Sequence, residues 1–125
     1  MRILIIGAGE VGYHIASRLV RERHNVVVVD EVPEVIRRVE EDLDVMVCEG
    51  HGARPATLDR AGIERAELVI AVTHSDEVNM VACLLARQFV CSRVNAEYRN
   101  ALRGFTMAMW RRRLWWRRGS ALALI

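Results

Sequence analysis

The sequence predicts an α/β fold, a doubly wound parallel sheet in three α/β/α layers. Three observations carry that reading. Short, solidly apolar runs alternate with amphipathic helical stretches, a glycine-rich turn follows the first run, and the second run stops on an acid, Asp30. A strand without in-out alternation is covered on both faces, as in a parallel sheet, and the intervening helices supply right-handed crossovers.

The elements follow in order. Ile3-Leu4-Ile5-Ile6 is a strand closed by Gly7, after which Val11, Ile15, Ala16, Leu19 and Val20 recur at helical spacing as far as Arg23. Val26 to Val29 is a second strand ending at Asp30. Pro33 suits a helix start, and Val35, Ile36 and Val39 form an apolar stripe through a charged helix that ends near Asp42. Val45 to Cys48 is a third strand, ended by Glu49-Gly50-His51-Gly52. A short helix from Pro55 to Ala61 closes on Gly62, which suits a left-handed C-cap. Leu68 to Val72 is the fourth strand. Ser75 or Asp76 caps the next helix, whose expected inner face is Val78, Val81, Ala82, Leu85 and Phe89. Val90 to Val94 reads as a fifth strand, and Ala101 to Arg118 as a helix with poorly sorted faces.

Composition bounds the chemistry. The chain has 125 residues, 52% hydrophobic and 27% charged, the balance of one folded domain of about 97 residues and a tail. No apolar run approaches the roughly 20 residues of a bilayer crossing, so neither a signal peptide nor a membrane span is expected. All 18 basic residues are Arg. Chemistry that needs a phosphate-loop Lys, a Schiff-base Lys or a Tyr-x-x-x-Lys dyad is therefore excluded. The net charge of +2 conceals a division: residues 1–97 carry −5, and residues 98–125 carry +7 in an arginine- and tryptophan-rich tail that is helical or disordered. Cys48, Cys83 and Cys91 lack C-x-x-C spacing, which points to reduced thiols in a cytoplasmic setting and to core filling rather than metal binding.

Ligands of open α/β sheets bind at the carboxyl ends of the strands, where Gly7, Asp30, Glu49-Gly50-His51 and Thr73 all fall. Gly7-Ala8-Gly9-Glu10-Val11-Gly12 is a G-x-G-x-x-G between strand and helix, and Asp30 stands 18 residues beyond its last glycine. This is the Rossmann-like arrangement for an adenosine dinucleotide. Gly7 permits the turn, Gly9 lets the backbone approach a pyrophosphate, and Gly12 lets the helix lie close to the strand. Asp30 would bind the ribose hydroxyls. Asp30 and Glu31 together disfavour a 2′-phosphate, so NAD(H) is expected over NADP(H). Gly50 and His51 would border the adenine, Thr73 and His74 the far side of the pyrophosphate, and Arg93 a phosphate.

With these residues in place, the chain resembles the nucleotide-binding domain of the TrkA family, also called the KTN or RCK N-terminal domain. The likeness runs from Met1 to about Leu85. It rests on the glycine turn with Tyr13-His14, Val28-Val29-Asp30, Glu49-Gly50-His51-Gly52, Ala61-Gly62-Ile63 and, above all, the stretch from Ala71-Val72-Thr73-His74 through Ser75-Asp76-Glu77-Val78-Asn79-Met80. Arg93 matches the family loosely, and the tail departs from it.

The resemblance implies a regulatory subunit rather than an enzyme, binding NAD(H), or ATP, ADP or AMP in the same site. It also implies a homo-oligomer, dimeric or higher, serving a membrane-embedded potassium transporter from the inner face of the cell membrane. No specific nucleic-acid partner is expected; contacts made by the +7 tail would be salt-labile and unspecific. The rival reading is the NAD-binding domain of an oxidoreductase lacking its catalytic half. Hydride transfer needs a substrate pocket with an acid or base, and neither His14 nor His24 has an evident carboxylate partner.

Overall fold

The computed structural model describes residues 1–93 and 122–124. Along the chain run β1 (Arg2–Ile6), α1 (Glu10–Arg21), β2 (Asn25–Asp30), α2 (Pro33–Asp42), β3 (Met46–Glu49), α3 (Pro55–Arg60), a 3-10 turn (Ile63–Arg65), β4 (Leu68–Ala71), α4 (Asp76–Arg93) and β5 (Leu122–Leu124). The sheet order is β3-β2-β1-β4-β5, with β1 to β4 mutually parallel. This is the expected Rossmann-like doubly wound sheet.

Register sets the strand ends level. Ile6 pairs with Val29 on one side and Ala71 on the other, and Asp30 pairs with Glu49. The turns after β1, β2, β3 and β4 therefore open on one edge of the sheet.

Side chains of a strand alternate between faces, and here each face has its own core. Leu4, Ile6, Val27, Val29, Val69 and Ala71 face Leu58 of α3 and Ala82 and Ala86 of α4. Ile3, Ile5, Val26, Val28 and Leu68 face Ala16 of α1 and Val39 of α2. Ile3, Ile5, Val28 and Val29 are completely buried, and each such side chain stabilises the fold by roughly 1.5–3 kcal/mol. On the second face, Tyr13 of α1 donates to Asp42 of α2 (3.0 Å), and Arg38 lies 4.7 Å over its ring. The hydrogen bond to the Asp42 carboxylate holds the Tyr13 phenol above its ordinary pKa. Gly62, with φ +74°, supplies the left-handed turn between α3 and the 3-10 turn.

Two expectations are corrected. Residues 90–93 do not begin a strand, because α4 continues to Arg93. A short apolar run cannot be told from buried helix by periodicity, and no Gly or Pro interrupts residues 78–93. Val94 and the Ala101 to Arg118 helix lie outside the described residues, as does most of the 98–125 tail. Within that tail, Leu122–Leu124 pairs antiparallel with β4, with Val69 opposite Leu124, a strand the sequence reading does not contain. The second correction is one residue of the inner face of α4: Ala82 is buried and Leu85 and Phe89 pack against the core as expected, but Val81 does not. Asn79, Ala82, Cys83 and Ala86 are buried, whereas Val81 is 39% exposed beside Met80 and Leu84. Small residues let the helix lie close to the sheet, and they give no size signal in a sequence.

Replacing Ile5 with Ala should cost about 3 kcal/mol, through lost burial and the cavity left behind. Met46→Ala on the exposed face of β3 should stay within about 0.5 kcal/mol. Urea denaturation midpoints of the two variants check the contrast.

Candidate functional site

The glycine turn is built by close approach. Gly7 leaves β1 with φ +98°, and its N–H donates to the Val29 carbonyl (2.8 Å). A Cβ on Gly7 would stand 2.7 Å from the Thr73 nitrogen, and one on Gly12 only 1.9 Å from the Gly7 oxygen. These two positions let the end of β4 and the start of α1 close on the turn. Gly9 differs, because a Cβ there would meet nothing within 4 Å. It heads α1 with no side-chain cap, and the helix ladder begins with Tyr13 N–H to the Gly9 carbonyl. The first-turn N–H groups and the positive end of the helix dipole are thus left to an anion.

Asp30 faces this turn from β2. Its Oδ2 accepts the Ala8 N–H (2.7 Å), and its Oδ1 accepts the Val32 N–H (2.9 Å). An ionised carboxylate has about four acceptor positions, so each oxygen keeps one free. The side chain therefore fixes the glycine turn, leads the chain into α2, and retains acceptors for a vicinal diol.

At the end of β3, Gly50 donates its N–H to the Asp30 carbonyl (2.8 Å). His51 accepts the Ala53 N–H at Nδ1 (3.1 Å), which leaves Nε2 to carry the proton of the neutral ring. That nitrogen lies 3.9 Å from the Glu31 carboxylate across the crevice mouth. At the end of β4, the Thr73 hydroxyl lies 2.8 Å from Asn79 Oδ1 and 3.1 Å from the Ser75 carbonyl, and it accepts the Ser75 N–H. Ser75, of the two candidates, caps α4. Its Oγ accepts the Val78 N–H and donates to Glu77. Backbone and Ser75 hydrogen bonds hold the Glu77 carboxyl below its ordinary pKa.

These strand ends enclose a crevice of about 470 Å³, within the range usual for small-molecule sites. Gly7, Gly9, Asp30, Glu31, Gly50, His51, Thr73 and His74 line it. Ala8, Glu10, Val11 and Gly12 do not. Ala8 is buried with its N–H on Asp30, Glu10 and Val11 are exposed, and Gly12 lies beneath the turn. Arg93, expected on a fifth strand, falls in the last turn of α4. The sequence reading misses Val32 and Val35, which add an apolar wall beside Asp30, and Asn79, which holds Thr73. Its helical spacing assigns Val35 only to a core stripe, although its place just after Asp30 is a signal that could have found it.

An adenosine nucleotide fits this donor set: open amides at Gly9 for phosphate, free carboxylate lone pairs for ribose, and Val32, Val35 and His51 around a flat base. Among the described lining residues the charged groups are Asp30 and Glu31, so an anion entering the crevice would have to be met by backbone N–H groups.

Comparison with known proteins agrees with this architecture. The family model described as the TrkA-N domain matches residues 3–105. A Trk system potassium uptake protein TrkA from Azorhizobium caulinodans is 52% identical over 83 residues, which are 66% of this chain and 18% of that protein. The chain thus spans about a fifth of the length of the curated relatives it matches. Among solved structures, the Kef CTD of Shewanella denitrificans in its AMP-bound form superposes with a TM-score of 0.62 at 23% identity, over 70% of this chain and 52% of that chain. The GsuK channel bound to NAD gives a TM-score of 0.61 at 24% identity, over 70% of this chain and 16% of that chain. At such identities the likeness establishes the fold. No helix among the described residues is long and apolar enough to cross a membrane.

Asp30→Ala should lower stability by about 1–3 kcal/mol even without ligand, because the Ala8 and Val32 N–H groups lose their acceptor. Glu31→Ala should change it by less than about 0.5 kcal/mol. Glu77 contributes stability above the pKa of its unfolded carboxyl and loses it as pH falls through the lower folded value. Glu77→Gln should therefore flatten the acid limb of the stability curve measured by thermal unfolding.

Proposed function

Because the chain belongs to the TrkA-N domain family, we propose that it is a regulatory adenosine-nucleotide-binding module of a potassium uptake system, with NAD(H) as its principal ligand. The observation that carries this reading is the meeting of uncapped α1 amides at Gly9 with the Asp30 carboxylate in one crevice. The names of the relatives supply the potassium system, and the AMP and NAD bound in the two solved structures support the ligand class. AMP, ADP and ATP share the adenosine and first phosphate, so they compete for the same crevice.

In this reading residues 1–97 form the nucleotide module and residues 98–125 a basic tail, of which Leu122–Leu124 pairs with β4. The Gly7 to Gly12 turn holds the pyrophosphate through the free α1 amides that follow Gly9, the Ala8 N–H staying on Asp30, and Asp30 and Glu31 hold the adenosine ribose. Gly50 and His51 border the adenine, and Thr73 and His74 face the second ribose. Arg93 reaches a phosphate only if the end of α4 approaches the crevice. The module works as a homo-oligomer on the cytoplasmic side of a membrane-embedded potassium transporter subunit, with no specific nucleic-acid partner. The exposed Met80, Val81 and Leu84 face of α4 suits contact with a second protomer. The role is binding rather than turnover. Driving a two-state assembly from 1:99 to 99:1 takes a preference of roughly 10⁴-fold, about 5.5 kcal/mol, so competing nucleotides must touch a movable element differently. The Thr73 to Asp76 loop and α4 are that element.

Titration of the purified chain with NADH should give saturable binding. NADPH should bind at least about tenfold more weakly, its 2′-phosphate meeting Asp30 and Glu31. Gly9→Ala should weaken NADH by about tenfold or more while leaving the unfolding midpoint in place, since the added methyl enters only the crevice. Absence of saturable binding by every adenosine nucleotide would refute the proposal.

A further inference from the structure

Asn79 is 1% exposed and is, with Thr57, one of two buried polar residues among those described. A buried amide is costly unless its hydrogen bonds are made, and three side-chain contacts of Asn79 go to Thr73. Its Oδ1 accepts the Thr73 N–H (2.8 Å) and faces the Thr73 hydroxyl (2.8 Å), while its Nδ2 donates to the Thr73 carbonyl (3.1 Å). One side chain thus holds both main-chain polar groups of Thr73, fixing the peptide planes on either side. The Thr73 nitrogen is also the atom that a Gly7 Cβ would strike at 2.7 Å. The clamped peptide is therefore seated against the glycine turn itself.

Sheet order decides which part of a ligand this affects. β2 and β3, with Asp30 and His51 at their ends, lie on one side of β1, and β4, with Thr73, lies on the other. The adenosine half and the half beyond the pyrophosphate therefore sit on opposite sides of Gly7. We infer that Asn79 is a positioning residue that makes the crevice selective for dinucleotides over mononucleotides, by holding the β4-end loop in the shape that receives the distal half of the ligand. This rests on reading the crevice as an adenosine-nucleotide site. Asn79 itself lies behind Thr73, through which it acts, and does not line the crevice.

The test compares NADH and AMP binding by calorimetry on the full chain. Asn79→Ala should lose about tenfold in NADH affinity, the scale of one or two neutral hydrogen bonds. AMP affinity should stay within about twofold, as expected for a site that shares no partner with the change. Intact AMP binding also reports that the variant is folded. Should Asn79→Ala not fold, Asn79→Asp carries the test: its ionised carboxylate keeps the acceptor and loses the donor to the Thr73 carbonyl. NADH affinity should again fall about tenfold while AMP affinity stays within about twofold. Equal losses for NADH and AMP, or no loss for either, would overturn the inference. A wild type that binds neither nucleotide would overturn the crevice reading and this one with it. A wild type that binds both, with Asn79→Ala unchanged for NADH, overturns this one alone.

Discussion

Asp30 ties together three parts of the chain that must be level for the crevice to exist, two through its carboxylate and one through its carbonyl. One oxygen holds the Ala8 N–H and so the glycine turn after β1, and the other holds the Val32 N–H and so the approach to α2. The Asp30 carbonyl accepts the Gly50 N–H, which brings in the end of β3. Remove the side chain and the turn loses its anchor, although the β1–β2 ladder ending at Ile6 and Val29 remains. Asp30 is thus structural and ligand-facing at once. Its two engaged lone pairs orient the two that stay free, which is how a short side chain can be held ready for a diol before any ligand arrives.

Charge gives the crevice its character. The described lining has two carboxylates and no arginine, in a chain whose basic residues are all arginine. In the proposed reading, phosphate is then met by backbone N–H groups at the start of α1, a fixed and only partial positive charge. A diester pyrophosphate with its charge spread over two groups suits such a site better than a terminal phosphate carrying extra charge. Acidic Glu31 at the mouth, opposite His51, pushes in the same direction.

Much of this is legible in the residues. Runs such as Ile3 to Ile6 and Val26 to Val29, short, rich in β-branched residues and bounded by Gly7 and Asp30, read as strands buried on both faces, and Gly50 marks the end of the third. Gly62 announces its left-handed turn. What escapes reading has physical causes. The end of α4 reads as a strand because valine and cysteine at Val90 and Cys91 suit either state and no breaker separates them from Phe89. On the inner face of α4, Ala82, Leu85 and Phe89 are legible, but Cys83 and Ala86 pack by being small, while larger Val81 faces outward. Asn79 is hard to read as a clamp because two of its three contacts with Thr73 are to the backbone, and a hydrogen bond to backbone leaves no complementary side chain in the sequence.

The central claim is that an adenosine nucleotide lies across the glycine turn with its phosphate on the α1 amides and its ribose on Asp30. Amide-resolved NMR of the ¹⁵N-labelled chain during an NADH titration tests it most directly. The largest shifts should fall on the Gly9 to Gly12 amides, with further shifts at Glu31, His51 and Thr73 to Ser75 saturating at the same concentration. Saturable binding that leaves the Gly9 to Gly12 amides unmoved would contradict it.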